Sequence, residues 1–319
     1  MLLLDRVSHR LKFRDLTLLD AVVRWKSMAK AATHLHVSQP AVSKAIAELE
    51  HVLGARLLDR GPRGIEPTPY GRALLRRGIA IFDELRQGVS EIEFLSDPMA
   101  GEVRIATSEP MAAGLLPIII GRLSRKNPRV SIFVTQSPIG SLQSRTPRYQ
   151  ELRERNVDLV LGPIVKPFDE EDLEVEPLFD DPLVVVAGIR NRWARRRSVT
   201  LAELIDEPWC SLPGDTLVGA RGTEAFRASG LNAPRRNVVS ISVQLQIGLV
   251  ATQRFLTVLP KSLVHFSGNR FSIKRLPIEL PIPPVPVGVT TLTNRTISPA
   301  AQLFIRTARE IAQPIANSR

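Results

Sequence analysis

A short polar run near the N-terminus contains the side chains best suited to read a double helix. Ser38 precedes Gln39 and Pro40, and Ser43 and Lys44 follow on the same predicted helix. At about 100° per residue, Pro40, Ser43 and Lys44 fall on one side of that helix, with Gln39 near its edge. A glutamine can pair with adenine through two hydrogen bonds, and a lysine can reach guanine or a phosphate. The pattern predicts contacts in a DNA major groove.

Each of these side chains also has an ordinary structural interpretation. Ser38 can act only as a helix cap, and Lys44 can be a solvated charge. Gln39 and Ser43 can be plain surface residues. The other side of the helix favours DNA contact, because it is apolar and suited to a core. Its residues are Val42, Ile46, Leu49 and Leu53. With that side packed inward, the polar side faces outward and the helix N-terminus is free to meet a phosphate.

Two further helices and a hairpin are predicted around this surface. Apolar residues recur with helical spacing as far as Gly54, which is suited to end a helix, and Ser27 can cap a short helix between two longer ones. Residues 57–68 form two β-prone pieces around a Gly/Pro turn, which predicts a small hairpin. Arg60 and Arg63 flank that turn. They are further candidates for DNA contact, although a purely structural role is also open.

A long helix is predicted from about Thr68 to Ser96. Its apolar residues recur with the spacing of a coiled-coil seam. They are Leu74, Ile81, Leu85, Ile92 and Leu95. Packing against the helix's own domain is the simpler interpretation of this stripe. Because little else in the sequence is available to cover it, the pattern favours a seam between two copies of the chain.

After residues 97–101 the pattern of apolar residues changes. Short apolar strands alternate there with helical stretches, which predicts α/β units with largely parallel sheets. The predicted strands are Val103–Ala106, Val130–Thr135, Leu159–Leu161, Leu183–Ala187, Val238–Ser240, Phe255–Leu259 and Pro286–Thr291.

The stretch from Leu11 to Leu85 resembles the LysR-type transcriptional regulator family along its whole length. The motif that carries the resemblance is SMAKAATHLHVSQPAVSKAI at residues 27–46, followed by ELE at 48–50, LG at 53–54 and RLLDR at 56–60. Pro67, Thr68 and Gly71 continue it, and the later segments are similar to the family's sensing domain.

The resemblance implies an α+β multidomain fold. Residues 1–68 would form a winged helix-turn-helix whose wing, with Arg60 and Arg63, lies against the minor groove or the DNA backbone. Residues 69–97 would form a linker and dimerisation helix. Residues 98–319 would form a two-lobed α/β effector domain similar to periplasmic binding proteins. Lobe one would comprise 101–177 and 272–319, and lobe two 178–271.

The effector is expected between the lobes. Ligands of open α/β sheets bind beyond the carboxyl ends of strands, so those ends supply the candidate residues. The candidates are Ser108, Gln136, Ser137, Gly162, Pro163, Ser211, Ser242 and Pro260. Ser108 matches the family position whose hydroxyl commonly contacts the effector. Any one of the serines can instead merely cap a helix. Family members tied to sugar and to aromatic-acid metabolism are both similar to this half, so both effector classes stay open.

Charge and composition agree with a polyanionic partner. The formal net charge is +11, and residues 1–77 hold 14 Lys and Arg against 7 Asp and Glu. Charge alone does not distinguish nucleic acid from another polyanion. A single cysteine, Cys210, excludes an intramolecular disulfide and a cysteine-cluster metal site. Because no apolar run reaches the length of a membrane helix, we expect a soluble cytoplasmic protein without membrane contact.

An enzyme is the rival class, and the sequence offers little for it. It contains no GxSxG elbow, HExxH motif or phosphate-binding loop. Four of its five histidines lie in the predicted DNA-binding part; the five are His9, His34, His36, His51 and His265. We therefore expect no catalytic residue, metal or cofactor. The expected partners are double-stranded operator DNA at a promoter, a small-molecule effector, further copies in a homodimer or homotetramer, and RNA polymerase. A small-molecule binding protein without DNA activity is the alternative.

Overall fold

Two compact units divide the chain, the first ending at Arg86 and the second beginning at Gln87. The computed structural model describes residues 10–62, 64–137, 141–142, 148–165, 168 and 170–317. Within these ranges every helix is too short or too polar to cross a lipid bilayer. Each unit has an apolar core of its own.

The first unit contains the predicted three helices and hairpin. They are α1 (Phe13–Trp25), α2 (Met28–His34), α3 (Gln39–Leu53), β1 (Leu58–Gly61) and β2 (Gly64–Pro67), with the two strands antiparallel. The local signals act as predicted. The Ser27 hydroxyl accepts a hydrogen bond from the Lys30 N–H, and Gly54 ends α3 at a φ of 67°, a conformation that glycine adopts without strain.

The long helix α4 (Pro69–Ser96) begins within one residue of its predicted start. Thr68 fixes that start, because its hydroxyl accepts from the Gly71 N–H and donates to the Arg56 carbonyl oxygen. The boundary between the two units falls inside this helix. The prediction set the whole of 69–97 apart as a linker, whereas the residues up to Arg86 belong to the first unit.

The second unit alternates strands and helices. In chain order its elements are β3 (Ala100–Thr107), α5 (Glu109–Ala113), α6 (Leu115–Lys126), β4 (Arg129–Gln136), α7 (Gln150–Arg153), β5 (Leu159–Pro163), β6 (Leu173–Asp181), β7 (Leu183–Gly188), β8 (Trp209–Ser211), α8 (Leu217–Ala228), β9 (Arg236–Val239), α9 (Val243–Ala251), β10 (Thr257–Pro260), α10 (Lys261–Phe271), β11 (Ile273–Arg275), β12 (Val285–Leu292) and α11 (Pro299–Asn317). Each of the seven predicted strands overlaps one of these strands.

Lobe one is built on a five-stranded sheet in the order β4-β3-β5-β12-β6. β3 is parallel to β4 and β5, whereas β12 is antiparallel to both β5 and β6. The sheet is therefore mixed, and the prediction of largely parallel sheets is wrong for this lobe. The cause is the return of the chain from lobe two, which inserts β12 between two strands that run the other way.

Lobe two departs further from that prediction. β7 lies between β10 and β11 and is antiparallel to both, whereas the small β8–β9 pair is parallel. The predicted lobe boundaries also need correction. β6 pairs with β12 as far as Asp181, so lobe one extends beyond residue 177. β11 pairs with β7, so the chain is still in lobe two at residue 272 and rejoins lobe one only at β12.

Candidate DNA-binding surface and effector cavity

Helix α3 presents the geometry on which the DNA interpretation depends. Ser38 precedes it in extended conformation, and its hydroxyl accepts a hydrogen bond from the Ala41 N–H at 3.4 Å. Pro40 stands in the first turn, where the missing N–H leaves no bond unmade. The apolar residues Val42, Ile46 and Leu49 are buried in the core of the first unit. The opposite side of the helix is therefore turned outward.

The polar side of α3 is accessible. Gln39, Pro40 and Lys44 are exposed and Ser43 is half-buried. The Gln39 side-chain amide donates to the Ser43 hydroxyl at 2.9 Å, and the Lys44 ammonium lies 3.8 Å from a Glu48 carboxylate oxygen. Both contacts are solvent-exposed pairs one helical turn apart, and such pairs contribute a few tenths of a kcal/mol, about 0.2–0.5. They orient the side chains and are weak enough to be exchanged for DNA groups.

Close to its turn, the hairpin is fastened to the C-terminal end of α1. The Ile65 N–H donates to the Lys26 carbonyl oxygen at 3.0 Å, and the Ile65 side chain is buried. Arg60 lies opposite Ile65 in the strand register and is exposed. The predicted contact residue Arg63 lies outside the described residues. Arg60 is thus held on a strand whose partner is anchored to the core.

A cavity of about 490 Å³ lies between the two lobes of the second unit. It falls where the carboxyl ends of β3, β4 and β5 face the segment after β8 and the end of β10. Five of the eight predicted effector residues line it; they are Ser108, Gln136, Ser137, Pro163 and Pro260. Its size is that of pockets that enclose small organic molecules.

Three predicted residues do not line this cavity. Gly162 is buried inside the lobe-one sheet opposite Gly288. The Ser242 hydroxyl caps α9 by accepting from the Leu245 N–H at 3.2 Å. Ser211 is the last residue of β8, and the segment that reaches the cavity begins one residue later, at Leu212. The strand-end rule found this segment but selected the residue still inside the strand.

The Ser108 hydroxyl is free of the structural role that serines at helix starts usually have. Ser108 precedes α5, but its side chain makes no capping hydrogen bond. Thr216, which also lines the cavity, shows the contrast: its hydroxyl donates to the Pro213 carbonyl oxygen and accepts from the Gly219 N–H. Ser137 is engaged as well, since it donates to Glu151 at 3.1 Å. Of the two predicted serines that line the cavity, Ser108 is therefore the better placed to serve a ligand.

The cavity is also lined by three carboxylates that the sequence analysis did not predict as effector contacts. They belong to Glu109, Asp181 and Asp215. Asp181 is only 2% exposed and accepts from both the N–H and the hydroxyl of Ser262. Burial raises the pKa of Asp181 to about 6, against the effect of the Ser262 hydrogen bonds. A charged residue followed by proline at a strand end, as in Asp181-Pro182, is the signal that marks this position in the sequence.

Contacts between the lobes border the cavity. The Gln244 N–H at the start of α9 donates to the Glu109 carboxylate at 3.4 Å. The Leu142 N–H donates to the Asp215 carbonyl oxygen at 2.7 Å, and Ser141 and Thr216 form an isolated antiparallel bridge. These bonds join lobe one to lobe two at the cavity itself, so a ligand that changes them changes how the lobes fit together.

The cysteine is a core residue of lobe two. Cys210 is fully buried, and its thiol lies 3.6 Å from the Leu256 carbonyl oxygen as a weak donor. Burial raises the pKa of the Cys210 thiol to about 11. Because the thiolate is the reactive form, this side chain is suited to packing rather than to redox sensing.

A winged helix-turn-helix unit and a two-lobed α/β unit with a cavity between its lobes define a ligand-sensing DNA-binding regulator. The family model described as "LysR substrate binding domain" matches residues 96–313. The model described as "Bacterial regulatory helix-turn-helix protein, lysR family" matches residues 13–72. The chain belongs to the LysR family of transcriptional regulators, and it is a regulator rather than an enzyme.

Known proteins match over nearly the full length. The HTH-type transcriptional regulator GbpR of Azospirillum brasilense is 28% identical, over 98% of this chain and 93% of that protein. TdcA of Escherichia coli, also an HTH-type transcriptional regulator, is 27% identical over 97% and 94%. Among solved structures, full-length CbnR complexed with its target DNA aligns with a TM-score of 0.60 at 20% identity, over 94% of this chain and 99% of that one. A full-length OxyR variant from Pseudomonas aeruginosa gives 0.63 at 21%, over 94% and 95%. The structural similarities show a common fold.

Proposed function

We propose that this LysR-type regulator binds an operator near a promoter through α3 and the hairpin, and that a small molecule in the cavity controls the promoter. The observation that carries the proposal is the outward polar side of α3, with its apolar side packed in the core. The protein acts in the cytoplasm, where bacterial DNA lies. RNA polymerase is the proposed recipient of the change at the promoter.

The side chains of α3 divide the work of recognition. Gln39 reads a base edge, Ser43 permits close approach, and Lys44 meets a guanine or a phosphate. Ser38 and the adjoining helix N-terminus contact the DNA backbone. Pro40, which is next to them, packs against the DNA there. A solved relative, CbnR, is seen with its target DNA, which supports this use of the shared fold.

The wing adds contacts outside the major groove. Arg60 is exposed on a strand that is fixed to the core, and it meets a phosphate or the minor groove together with Arg63. Such contacts set the register of the protein on the duplex and make the affinity depend on salt.

The cavity is the proposed control site. Ser108, Gln136, Ser137, Pro163 and Pro260 are the predicted contacts that line it, and Ser108 is the leading one. An effector shifts the regulator only if its affinity differs between two arrangements of the lobes. Hydrogen bonds between the lobes at the cavity edge, such as that from Gln244 to Glu109, supply a difference of this kind.

Operator binding should respond differently to two substitutions on α3. Gln39→Ala should reduce discrimination between operator and random DNA by about 1–3 kcal/mol, because one base contact is lost. If Lys44 meets a phosphate, Lys44→Ala should weaken both complexes evenly and reduce the salt slope by about one. Gel-shift titrations against the chain's own upstream region, at several salt concentrations, measure both effects.

Lys126→Ala is the matched control, since it removes an exposed lysine from the second unit. It should leave affinity, discrimination and salt slope unchanged. Equal losses on operator and random DNA for both Gln39→Ala and Lys44→Ala would contradict the assigned roles. Absent or salt-independent binding by the unsubstituted protein would favour the alternative, a small-molecule binding protein without DNA activity.

The proposed oligomer forms through α4. Four of the five seam residues are exposed, Leu85 to 53% and Ile92 to 66%, while Leu74 packs against the core of the first unit. A second copy of the chain is the occupant that the coiled-coil spacing favours, because identical seams are complementary to each other. The dimer, which can pair further into a tetramer, brings two winged units to one operator.

Leu85→Lys should weaken the dimer on the order of 100-fold, because the seam must then bury two ammonium groups without partners. Sedimentation equilibrium of the full-length protein measures the dissociation constant. Glu93→Lys places the same side chain at an exposed site about 80° from Leu85 around α4 and about 110° from the centre of the seam, and it should have little effect. A dissociation constant for Leu85→Lys equal to that of Glu93→Lys would exclude this seam.

A further inference from the structure

We infer that the effector is a small organic cation, an amine carried on an apolar body, and that Glu109 is its ion-pair partner. The inference rests on the proposed function, because it names the class of molecule that the interlobe cavity accepts. Three carboxylates line the cavity, whereas no lysine, arginine or histidine of the described ranges does so. An anionic effector would meet these carboxylates and, among the described residues, no bidentate arginine of the kind that such anions favour.

The helix starts around the cavity do not replace the missing cations. Helix N-termini bind anions through free N–H groups and the helix dipole. Here the protein's own oxygen atoms already occupy N–H groups at these starts. Thr216 caps α8, Ser242 caps α9 and Glu109 accepts from Gln244 beside it, and Asp181 accepts from Ser262 at the start of α10. Each of these three starts already has an acceptor, in two cases a carboxylate, and the uncapped short helix α5 carries the Glu109 carboxylate in its own first turn.

The three carboxylates differ in their exposure to water and in how many hydrogen bonds their oxygen atoms already accept. Both oxygens of Asp181 accept hydrogen bonds from Ser262, at 2.9 and 2.5 Å, so Asp181 is committed to α10. Asp215 is exposed at the rim, where water screens its charge. Glu109 is half-buried and holds only one long bond, at 3.4 Å from the Gln244 N–H. Glu109 is thus the carboxylate that combines shelter from water with a free oxygen.

A second polar group points to a ligand beside Glu109. Ser108 is 9% exposed, lines the cavity and caps no helix, and none of the described residues hydrogen-bonds to its hydroxyl. Because this hydroxyl faces the cavity and has no protein partner among the described residues, it is available to a bound molecule. An ammonium group has three donors, and the Glu109 carboxylate and the Ser108 hydroxyl can accept two of them.

The other residues that line the cavity favour an apolar body for the effector. Met111, Leu183, Leu212, Val218 and Val287 contribute apolar side chains to the cavity. Such walls favour an aliphatic or aromatic body and leave few groups to satisfy the many hydroxyls of a sugar. An amine at Glu109 would also compete with the Gln244 N–H for the carboxylate. Binding would then act directly on a hydrogen bond that joins the lobes.

The test uses two matched sets of probes at pH 7 with the full-length protein. One set is phenylpropylamine, phenylpropanol and phenylpropanoate; the other is hexylamine, hexanol and hexanoate. Within each set only the terminal group changes, from cation to neutral to anion. We expect calorimetric dissociation constants to rise in that order, with the amine binding about 10-fold more tightly than its alcohol. Glu109→Gln should remove most of this advantage while retaining an acceptor for Gln244.

Asp206→Asn is the control, because it removes an exposed carboxylate of the second unit that does not line the cavity. The amine's advantage should survive that change. The inference is overturned if either carboxylate binds as tightly as its amine, if no amine binds more tightly than its alcohol, or if Glu109→Gln leaves the preference intact. Gel shifts without ligand on the same preparations separate the two proposals. If the unsubstituted protein does not bind the operator, the proposed function is contradicted. If it binds the operator but shows no preference for the amines, only the proposed effector class is contradicted.

Discussion

Replacing Arg295 with alanine is expected to lower the free energy of unfolding of the second unit by about 3–5 kcal/mol. The Arg295 side chain is 2% exposed, and its guanidinium lies 2.7 Å from a carboxylate oxygen of Asp158, itself 10% exposed. Arg295 also donates to the Val157 carbonyl oxygen, and the other Asp158 oxygen accepts from the Arg104 N–H at 2.8 Å. Alanine would remove the Arg295 charge from beside a buried carboxylate.

Chemical denaturation of the full-length variants measures this loss. Arg125→Ala removes an exposed arginine from α6 and should change the free energy of unfolding by less than about 0.5 kcal/mol. The double variant Arg295→Met with Asp158→Asn removes both charges and keeps an acceptor for the Arg104 N–H. It should recover at least half of the loss, because a neutral pair avoids the uncompensated charge. If Arg295→Ala cost no more than Arg125→Ala, the ion pair would have no structural role.

The sequence was most informative where the determining interactions are local. Capping by Ser27 and Ser38, the proline at the start of α3 and the glycine after it all act within a few residues. The burial of Val42, Ile46 and Leu49 follows from helical periodicity alone. For these reasons the winged unit and the long helix were predictable almost residue by residue.

Strand order was less predictable, because it depends on pairing between distant segments. β12 lies more than 100 residues beyond β5 and β6, and nothing in its apolar run shows that it lies antiparallel to both. β6 and β11 were missed because charged residues interrupt their patterns, as in the sequence Leu173–Asp181. Their pairing also moved both lobe boundaries.

The cavity shows the same division between local and long-range information. Strand ends are local features, and they gave five residues that line it. Which side chains of a loop turn inward depends on the opposite lobe, so Glu109 and Asp215 could not be separated from ordinary surface acids. Ser242 shows the converse, since its local capping role takes up the hydroxyl that the prediction assigned to a ligand.

Gly71→Ala is expected to destabilise the winged unit by at least about 3 kcal/mol and to abolish operator binding at 37 °C. Alanine usually stabilises a helix relative to glycine by roughly 0.5–1 kcal/mol, so the expected sign is reversed. The reason is that a Cβ atom at Gly71 would lie 2.1 Å from the Leu57 carbonyl oxygen. That oxygen is fixed, because it accepts from the Thr68 N–H at 2.9 Å, just before α4 begins.

The same helix supplies the control that isolates this clash. A Cβ atom at Gly88 would meet nothing within 4 Å, so Gly88→Ala should stabilise α4 by up to about 1 kcal/mol. Thermal unfolding and gel shifts on the two variants give opposite results if the contact with Leu57 decides the outcome. The backbone at Leu57 leads directly into β1, so relief of the clash must displace the hairpin that presents Arg60. A stable Gly71→Ala protein with normal operator affinity would contradict this prediction. It would show that the hairpin can move away from α4 without affecting DNA recognition, so that the wing would have no part in DNA recognition.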